Sequence, residues 1–251
     1  MALCFGSSVR LHHVSCRNWS IGKFIRLVFA RLVNSSPFFL NCCDAMSYCN
    51  WGNASSVTLA YHDAEWGLPV REDRRQFEYL MMEVMQCGLS WDLMMKKREI
   101  FRRRFDRFDF DKIADYGEAD VARILATDAM IRSRRKVEAV IHNAQCFKRL
   151  REEFGTFSAW IWSFTDGKTV LYDRHGDGLI PASNGLSERV SAELRKRGFK
   201  YLGPVTVYSH LQACGVINDH GRDCPRYAVV NAANETIRKR RDHEKGVRDF
   251  S

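Results

Sequence analysis

The fold is decided by the stretch Lys196-Arg197-Gly198-Phe199-Lys200-Tyr201-Leu202-Gly203-Pro204 near the carboxyl end of the chain. Its two glycines follow a helical run that ends in basic residues. They precede Pro204, a residue favoured in the first turn of a helix. The pattern therefore predicts two helices joined by a short glycine-containing hairpin, a helix–hairpin–helix.

A hairpin of this kind is suited to holding a phosphate. Backbone N–H groups at the turn and at the start of the following helix can approach the phosphate closely, and Arg197 and Lys200 add positive charge. An ordinary pair of antiparallel helices with solvated basic side chains fits the same spacing. The hairpin alone leaves both interpretations open.

Upstream of the hairpin the hydrophobic pattern is also helical. Asp73 and Gln76 have the spacing of a capping box, and apolar residues then recur at helical intervals from Phe77 to Met85. Ser90 is placed to cap the next helix. Because no stretch alternates between apolar and polar residues, we predict an all-α fold class.

Length and charge define the predicted domain organisation. A chain of 251 residues that is 45% hydrophobic can bury one good core, or at most two small ones. The net charge of +9 is concentrated at the two ends of the chain. We therefore expect a domain over residues 46–225, a basic amino-terminal extension over 1–45 and a basic carboxyl-terminal tail over 226–251. The extension is interpreted as sequence upstream of a true start at Met46, or as an organelle transit peptide.

The sequence also predicts where the protein works. The most apolar stretch, Phe24 to Val33, contains Arg26 and Arg31, which excludes a spanning helix and a secretory signal. The nine cysteines are therefore expected in a reducing compartment, as thiols or metal ligands. The expected location is the bacterial cytoplasm, or an organelle if the chain is eukaryotic and residues 1–45 are made.

Four residues at the two ends of the predicted domain are candidate metal ligands. His220 and Cys224 stand one helical turn apart, a suitable spacing for two ligands of tetrahedral zinc. Cys49 and His62 are the other two candidates, although nothing local brings them to the first pair. Free cysteines and solvent-contacting histidines are the alternative. If all four bind, the coordination sphere is full and the metal is structural.

Glu83 is the candidate pocket acid. By helical geometry it lies at the edge of the apolar stripe, where a carboxylate is half-buried. It is either a surface acid or a group that accepts hydrogen bonds from the amino group of a ligand. Tyr61, Trp66 and Trp91 are either core aromatics or a stacking slot for a flat heterocycle.

Taken together, the motifs resemble the 3-methyladenine DNA glycosylase I family, which belongs to the helix–hairpin–helix DNA glycosylases. The resemblance runs from Cys49 to about Cys224. It is carried by short motifs that occur in the family's order: Cys49-Asn50-Trp51, Ala60-Tyr61-His62-Asp63-Ala64-Glu65-Trp66-Gly67, Gly88-Leu89-Ser90-Trp91, Lys97-Arg98-Glu99, Ile131-Arg132, Lys196-Arg197-Gly198-Phe199-Lys200, Gln212-Ala213-Cys214-Gly215 and Asn218-Asp219-His220.

The resemblance implies specific roles for residues of this chain. It places one structural zinc ion on Cys49, His62, His220 and Cys224, so that the zinc site ties the two ends of the domain together. Glu83 becomes the catalytic pocket acid, with base-binding roles for Tyr61, Trp91 and Ser209. The hairpin residues Arg197, Gly198, Lys200 and Gly203 become DNA contacts. One departure is Thr58, which occupies the position of a pocket tyrosine in the family. Asp219 lies beside a zinc ligand and is not expected to be catalytic.

The implied activity is hydrolysis of the N-glycosidic bond of 3-methyladenine in alkylated double-stranded DNA, without strand cleavage by a lyase step. A monomer with no obligatory protein partner and no membrane contact is expected. Two other functions stay open at this stage. One is a zinc-stapled DNA-binding module with weakened catalysis, and the other is a zinc hydrolase, against which a full set of four protein ligands argues.

Overall fold

The computed structural model describes residues 49–173, 175–177 and 179–240, so the predicted extension over residues 1–45 lies outside the described residues. The described residues are mostly helical, and no helix among them is both long and apolar enough to cross a bilayer. The α-helices are α1 Ser56–Ala64, α2 Asp73–Gln86, α3 Trp91–Arg104, α4 Phe110–Ala114, α5 Glu118–Leu125, α6 Arg134–Phe154, α7 Phe157–Ser163, α8 Gly185–Lys196, α9 Pro204–Ala213 and α10 Pro225–Ala233. The strands are β1 Thr169–Tyr172 and β2 Thr236–Lys239, and short 3-10 turns cover Asn50–Ala54, Asp106–Phe108 and His175–Asp177.

Helix α2 is the centre of the core. All of its residues from Gln76 to Met85 are buried, so the helix is surrounded by protein over most of its circumference. It packs on the long helix α6 through Phe77 and Phe147, whose rings meet edge to face at a centroid distance of 5.1 Å. Edge-to-face packing of buried aromatic rings is favourable, and here it fixes the helix that carries Glu83.

The start of α2 differs from the sequence prediction. Glu72 is the capping residue, because its carboxylate accepts hydrogen bonds from the backbone N–H groups of Arg74 and Arg75. Asp73 instead accepts hydrogen bonds from the first two N–H groups of α7, those of Phe157 and Ser158, at 3.1 and 2.9 Å. The predicted capping box of Asp73 and Gln76 is therefore wrong, since Asp73 joins two helices that are distant in sequence.

A two-stranded parallel sheet corrects the all-α prediction. Strand β1 pairs with β2 in a register that places Thr169 opposite Thr236, and all four residues of β1 are buried. A strand that is buried on both faces has no apolar–polar alternation, which explains why the sequence pattern did not reveal it.

The same sheet corrects the predicted basic tail over residues 226–251. Helix α10 and strand β2 occupy much of its first half, Val230 of α10 is fully buried, and β2 pairs with β1. The domain therefore continues to at least Lys239. Residues 241–251 lie outside the described residues.

Candidate active site and metal centre

One cavity of about 270 Å³ gathers the predicted pocket residues. Tyr61 of α1, Glu83 of α2, Trp91 of α3 and Ser209 of α9 all line it. Each comes from a different helix, so the cavity exists only once the helices have packed. Its other lining residues are Trp51, Trp66, Gln86, Ile180 and Gln212.

The walls of this cavity are mainly aromatic. The rings of Tyr61 and Trp91 lie 5.4 Å apart, between centroids, at an angle of 54°. Trp51 contacts Trp66 edge to face at 4.9 Å. Four aromatic side chains around a cavity of this volume suit a flat heterocycle, which gains both apolar burial and stacking energy.

Glu83 is the acid of the cavity. Its side chain is buried, and burial raises the pKa of its carboxyl group to about 8. Because burial disfavours the charged form, a cation bound beside this carboxyl shifts it towards its ionised form. The pKa of Tyr61 is raised well above its usual value by burial, so its hydroxyl remains protonated. The site can therefore accept hydrogen bonds through Glu83 and stabilise positive charge.

Four lining residues were given no pocket role from the sequence: Trp51 and Gln212, which were named only as parts of motifs, and Gln86 and Ile180. Gln86 stands three residues after Glu83, and Gln212 three residues after Ser209. Helical spacing was therefore the signal that could have found both of them. Ile180 lies between β1 and α8 in a segment without regular periodicity, and no local pattern points to it.

Gln212 belongs to a buried polar network around Asp219. Its amide nitrogen donates to Asp219 Oδ2 at 2.8 Å. The hydroxyl of Tyr208 donates to the same oxygen at 2.5 Å, and Nδ1 of His175 lies 2.8 Å from Oδ1. Asp219 is 1% exposed. The carboxylate therefore holds Gln212, one of the residues that line the cavity.

Thr58 stands where the family has a tyrosine, and its side chain bonds to α3. It is buried, and its hydroxyl donates to Asp92 at 2.9 Å. Hydrogen bonds from Lys96, Ser55 and Thr58 lower the pKa of Asp92 to about 2. Thr58 therefore connects α1 to the first turn of α3, next to Trp91.

The predicted hairpin lies between α8 and α9 and is held by α6. Asn143 of α6 donates to the carbonyl of Lys200 at 3.0 Å and accepts from its N–H at 2.8 Å. Gly198 has a φ of +85°, a conformation that favours glycine. Gly203 precedes α9 and supplies no side chain to cap its first N–H groups, and Pro204 stands in the first turn of that helix.

The basic residues of the hairpin are placed differently from each other. Lys200 is exposed. Arg197 is paired with Glu193 at 2.7 Å and with Glu153 at 3.3 Å. The charge of Arg197 is therefore already compensated within the protein, whereas that of Lys200 is presented to solvent.

The four predicted metal ligands converge on one point. Cys49, His62, His220 and Cys224 are all buried, and their donor atoms lie within 4.8 Å of one another. The sulfur of Cys224 lies 3.5 Å from His220 Nδ1 and 3.8 Å from His62 Nε2. Tetrahedral zinc with its usual bond lengths places sulfur and nitrogen ligands about 3.5 Å apart. The donor set and its spacing therefore fit zinc.

The second ring nitrogen of each histidine has its own partner. Nδ1 of His62 lies 2.7 Å from a carboxylate oxygen of Asp63, and Nε2 of His220 lies 3.1 Å from the carbonyl of Trp66. Such partners orient a histidine and leave the opposite nitrogen for the metal. The opposite nitrogens here are the two that face Cys224.

The family model and the relatives that match this chain all belong to one family. The methyladenine glycosylase family model matches residues 51–227. DNA-3-methyladenine glycosylase 1 of Escherichia coli strain K12 is 37% identical over 182 residues, which cover 72% of this chain and 97% of that protein. DNA-3-methyladenine glycosylase of Haemophilus influenzae is 36% identical over 177 residues, covering 70% and 96%.

A solved structure agrees in fold. The structure of 3-methyladenine DNA glycosylase I from Staphylococcus aureus superposes on this chain with a TM-score of 0.68 at 34% sequence identity. The match covers 72% of this chain and 96% of that one. With the family model matched over most of the domain and relatives covered almost completely, this chain belongs to the methyladenine glycosylase family.

Proposed function

We propose that this protein is a DNA-3-methyladenine glycosylase that acts in base-excision repair. It hydrolyses the N-glycosidic bond of 3-methyladenine in alkylated DNA and leaves an abasic site. The observation that carries the proposal is the buried Glu83 in a cavity walled by aromatic side chains, in a chain whose relatives bear this name.

The target base must leave the duplex to reach this cavity. Enzymes that act on a base extrude it from the stack and read it by stacking and by hydrogen bonds to its edge. Trp91 stacks on the extruded ring, Tyr61 packs at its edge, and Ser209 contributes a hydroxyl from α9. Glu83 accepts a hydrogen bond from the exocyclic amino group, and its negative charge favours the cationic ring.

Little further machinery is needed, because methylation at N3 makes the base a cation and therefore a good leaving group. The bond between N9 and C1′ breaks with its electron pair passing to the base, which departs as neutral 3-methyladenine. Water forms the new bond to C1′ and releases one proton. No lysine is required, so we expect no Schiff base and no strand cleavage.

The hairpin between α8 and α9 holds the DNA backbone. The N–H groups at the start of α9, the backbone at Gly198 and Gly203, and the ammonium group of Lys200 contact phosphates beside the lesion. Arg197 supports the hairpin through its ion pairs with Glu193 and Glu153. Binding of this type is independent of sequence and weakens as salt rises.

Cys49, His62, His220 and Cys224 would hold zinc as a structural cross-link, because four protein ligands would fill a tetrahedral site. The cross-link would join the residues before and within α1 to the segment before α10. These four residues would thus position the two segments and contribute no group to bond cleavage.

The test is base release from N-methylated duplex DNA by the full chain, measured by chromatography, with Glu83→Gln in parallel. The wild type should release free 3-methyladenine, and the variant should lose at least about a hundredfold in rate while remaining folded. A folded wild type that binds the DNA but releases no base would instead favour the DNA-binding module. Full activity in Glu83→Gln would overturn the assignment of Glu83.

A further inference from the structure

The side-chain amide of Gln212 is held in one orientation by Asp219. Gln212 lines the cavity, and its amide nitrogen donates to Asp219 at 2.8 Å. A carboxylate only accepts hydrogen bonds, so a reversed amide would set its carbonyl oxygen against Asp219. The hydrogen bond therefore fixes the nitrogen on Asp219, and the carbonyl oxygen is the acceptor that Gln212 can offer to a ligand.

Two hydrogen-bond acceptors, on Glu83 and Gln212, suit a base edge that carries an amino group. The exocyclic amino group of an adenine carries two N–H bonds, one for Glu83 of α2 and one for Gln212 of α9. A 6-oxo purine presents an oxygen at the same place, where a fixed carbonyl repels it and leaves it unpaired. A buried polar group without a partner carries a substantial energetic cost.

We propose that Gln212 is a specificity-determining residue that favours amino-bearing alkylated purines over 6-oxo purines, and that Asp219 is the positioning residue that fixes its amide. Both roles rest on the base pocket proposed above. Asp219 touches Gln212 and contributes no group to the reacting bond.

The first experiment uses Gln212→Met, which keeps the length of the side chain and removes both amide groups. Release of 3-methyladenine and of 3-methylguanine is measured in one assay on the same methylated duplex. The variant should lose about tenfold in kcat/KM for 3-methyladenine, equivalent to one hydrogen bond, with no matching loss for 3-methylguanine. An equal loss for both bases, or no change for either, would overturn the role of Gln212.

The second experiment tests Asp219 through Gln212. In Asp219→Asn the new amide can donate to Gln212 and permit the reversed orientation, so the preference for 3-methyladenine should fall. The same substitution in the Gln212→Met background should leave the preference unchanged, because residues that act through each other are not additive. An equal effect in both backgrounds, or none in the wild-type background, would overturn the positioning role.

Two controls keep the outcome specific. Tyr208→Phe removes a different donor from the same oxygen of Asp219 and should retain the wild-type preference. Bound metal and the thermal unfolding midpoint are measured for every variant, because Asp219 precedes His220. The wild type in the same assay tests the proposed function separately, since a wild type that releases neither base would contradict that function first.

Discussion

At the scale of single residues, Glu83 sets the pH dependence of the reaction. Burial raises the pKa of its carboxyl group to about 8. Only the carboxylate form favours a cationic base, so kcat/KM for 3-methyladenine release should increase from pH 6 towards pH 8 and then level off. The pH dependence of kcat/KM reports groups of the free enzyme, and it is measured by base release at constant ionic strength.

Glu83→Gln provides the control for this prediction. Glutamine does not ionise, so the residual activity of the variant should lack the rise between pH 6 and pH 8. If the wild type shows no rise, or if the variant keeps the same rise, another group controls the profile and Glu83 is not the titrating acid.

His210 is the residue whose replacement should stabilise the protein. It is fully buried on α9, and neither ring nitrogen has a partner among the residues that the structure describes. A buried unpaired polar group costs about 1–3 kcal/mol. His210→Leu, which has a similar volume, should raise the free energy of unfolding at pH 7 by about 1–2 kcal/mol in urea denaturation.

The pH dependence separates this cause from better packing alone. Burial lowers the pKa of His210 to about 3, whereas an unfolded histidine titrates near pH 6.5. Between these values the unfolded chain binds the proton and the folded chain does not, so acid lowers the free energy of unfolding of the wild type. The advantage of His210→Leu should therefore grow from pH 7 to pH 4. A constant or shrinking advantage would refute the explanation.

At the scale of secondary-structure elements, Lys136 connects two helices that form the pocket. Its ammonium group, in the first turn of α6, donates to the carbonyls of Met85 and Cys87 at 2.8 and 2.7 Å. These carbonyls end α2, between Glu83 and Trp91. Lys136→Met keeps the aliphatic stem and removes two charge-assisted hydrogen bonds. It should destabilise the protein by about 1–3 kcal/mol and reduce excision as well.

Lys148 on the same helix is the matched control. Its ammonium group makes an ion pair with Asp111 at 3.5 Å near the surface. Surface pairs contribute about 0–1 kcal/mol, so Lys148→Met should change urea stability and base release little. Equal effects of the two substitutions would contradict the prediction that the hydrogen bonds of Lys136 support the pocket.

The elements differ in how well they could be predicted. Helix α2 and the cap at Ser90, which accepts from the N–H of Leu93, follow from local spacing and are confirmed. Strand β1 and the partners of Asp73 could not be predicted from local spacing, because they depend on segments distant in sequence. Local chemistry predicts an element, whereas pairing across the chain requires the folded structure.

At the scale of the whole molecule, the candidate sites follow the same rule. The spacing of His220 and Cys224 indicates one half of a metal site, but only the fold brings Cys49 and His62 to it. Resemblance to a family supplied that pairing from the sequence, and local physics did not. Gln212 and Asp219 show the complementary case, because both stand in motifs of the resemblance but only the fold reveals the hydrogen bond that joins them.

The metal centre also connects stability with the base pocket. Trp66 lines the cavity, its carbonyl lies 3.1 Å from His220 Nε2, and its ring meets that of His220 at 4.5 Å between centroids. A metal that fixes His220 therefore fixes one wall of the cavity as well. Loss of the metal should loosen the wall and the domain together.

We therefore expect the purified protein to contain about one equivalent of zinc, and a strong chelator to lower its thermal unfolding midpoint and its rate of base release together. Cys224→Ser should reproduce both effects without chelator. Cys87 is half-buried and is not one of the four candidate ligands, so Cys87→Ser should reproduce neither effect. Cobalt substituted for zinc should restore both properties, because a closed structural site requires tetrahedral coordination rather than a particular reactivity. A metal-free protein with an unchanged unfolding midpoint would contradict the structural role of these four residues.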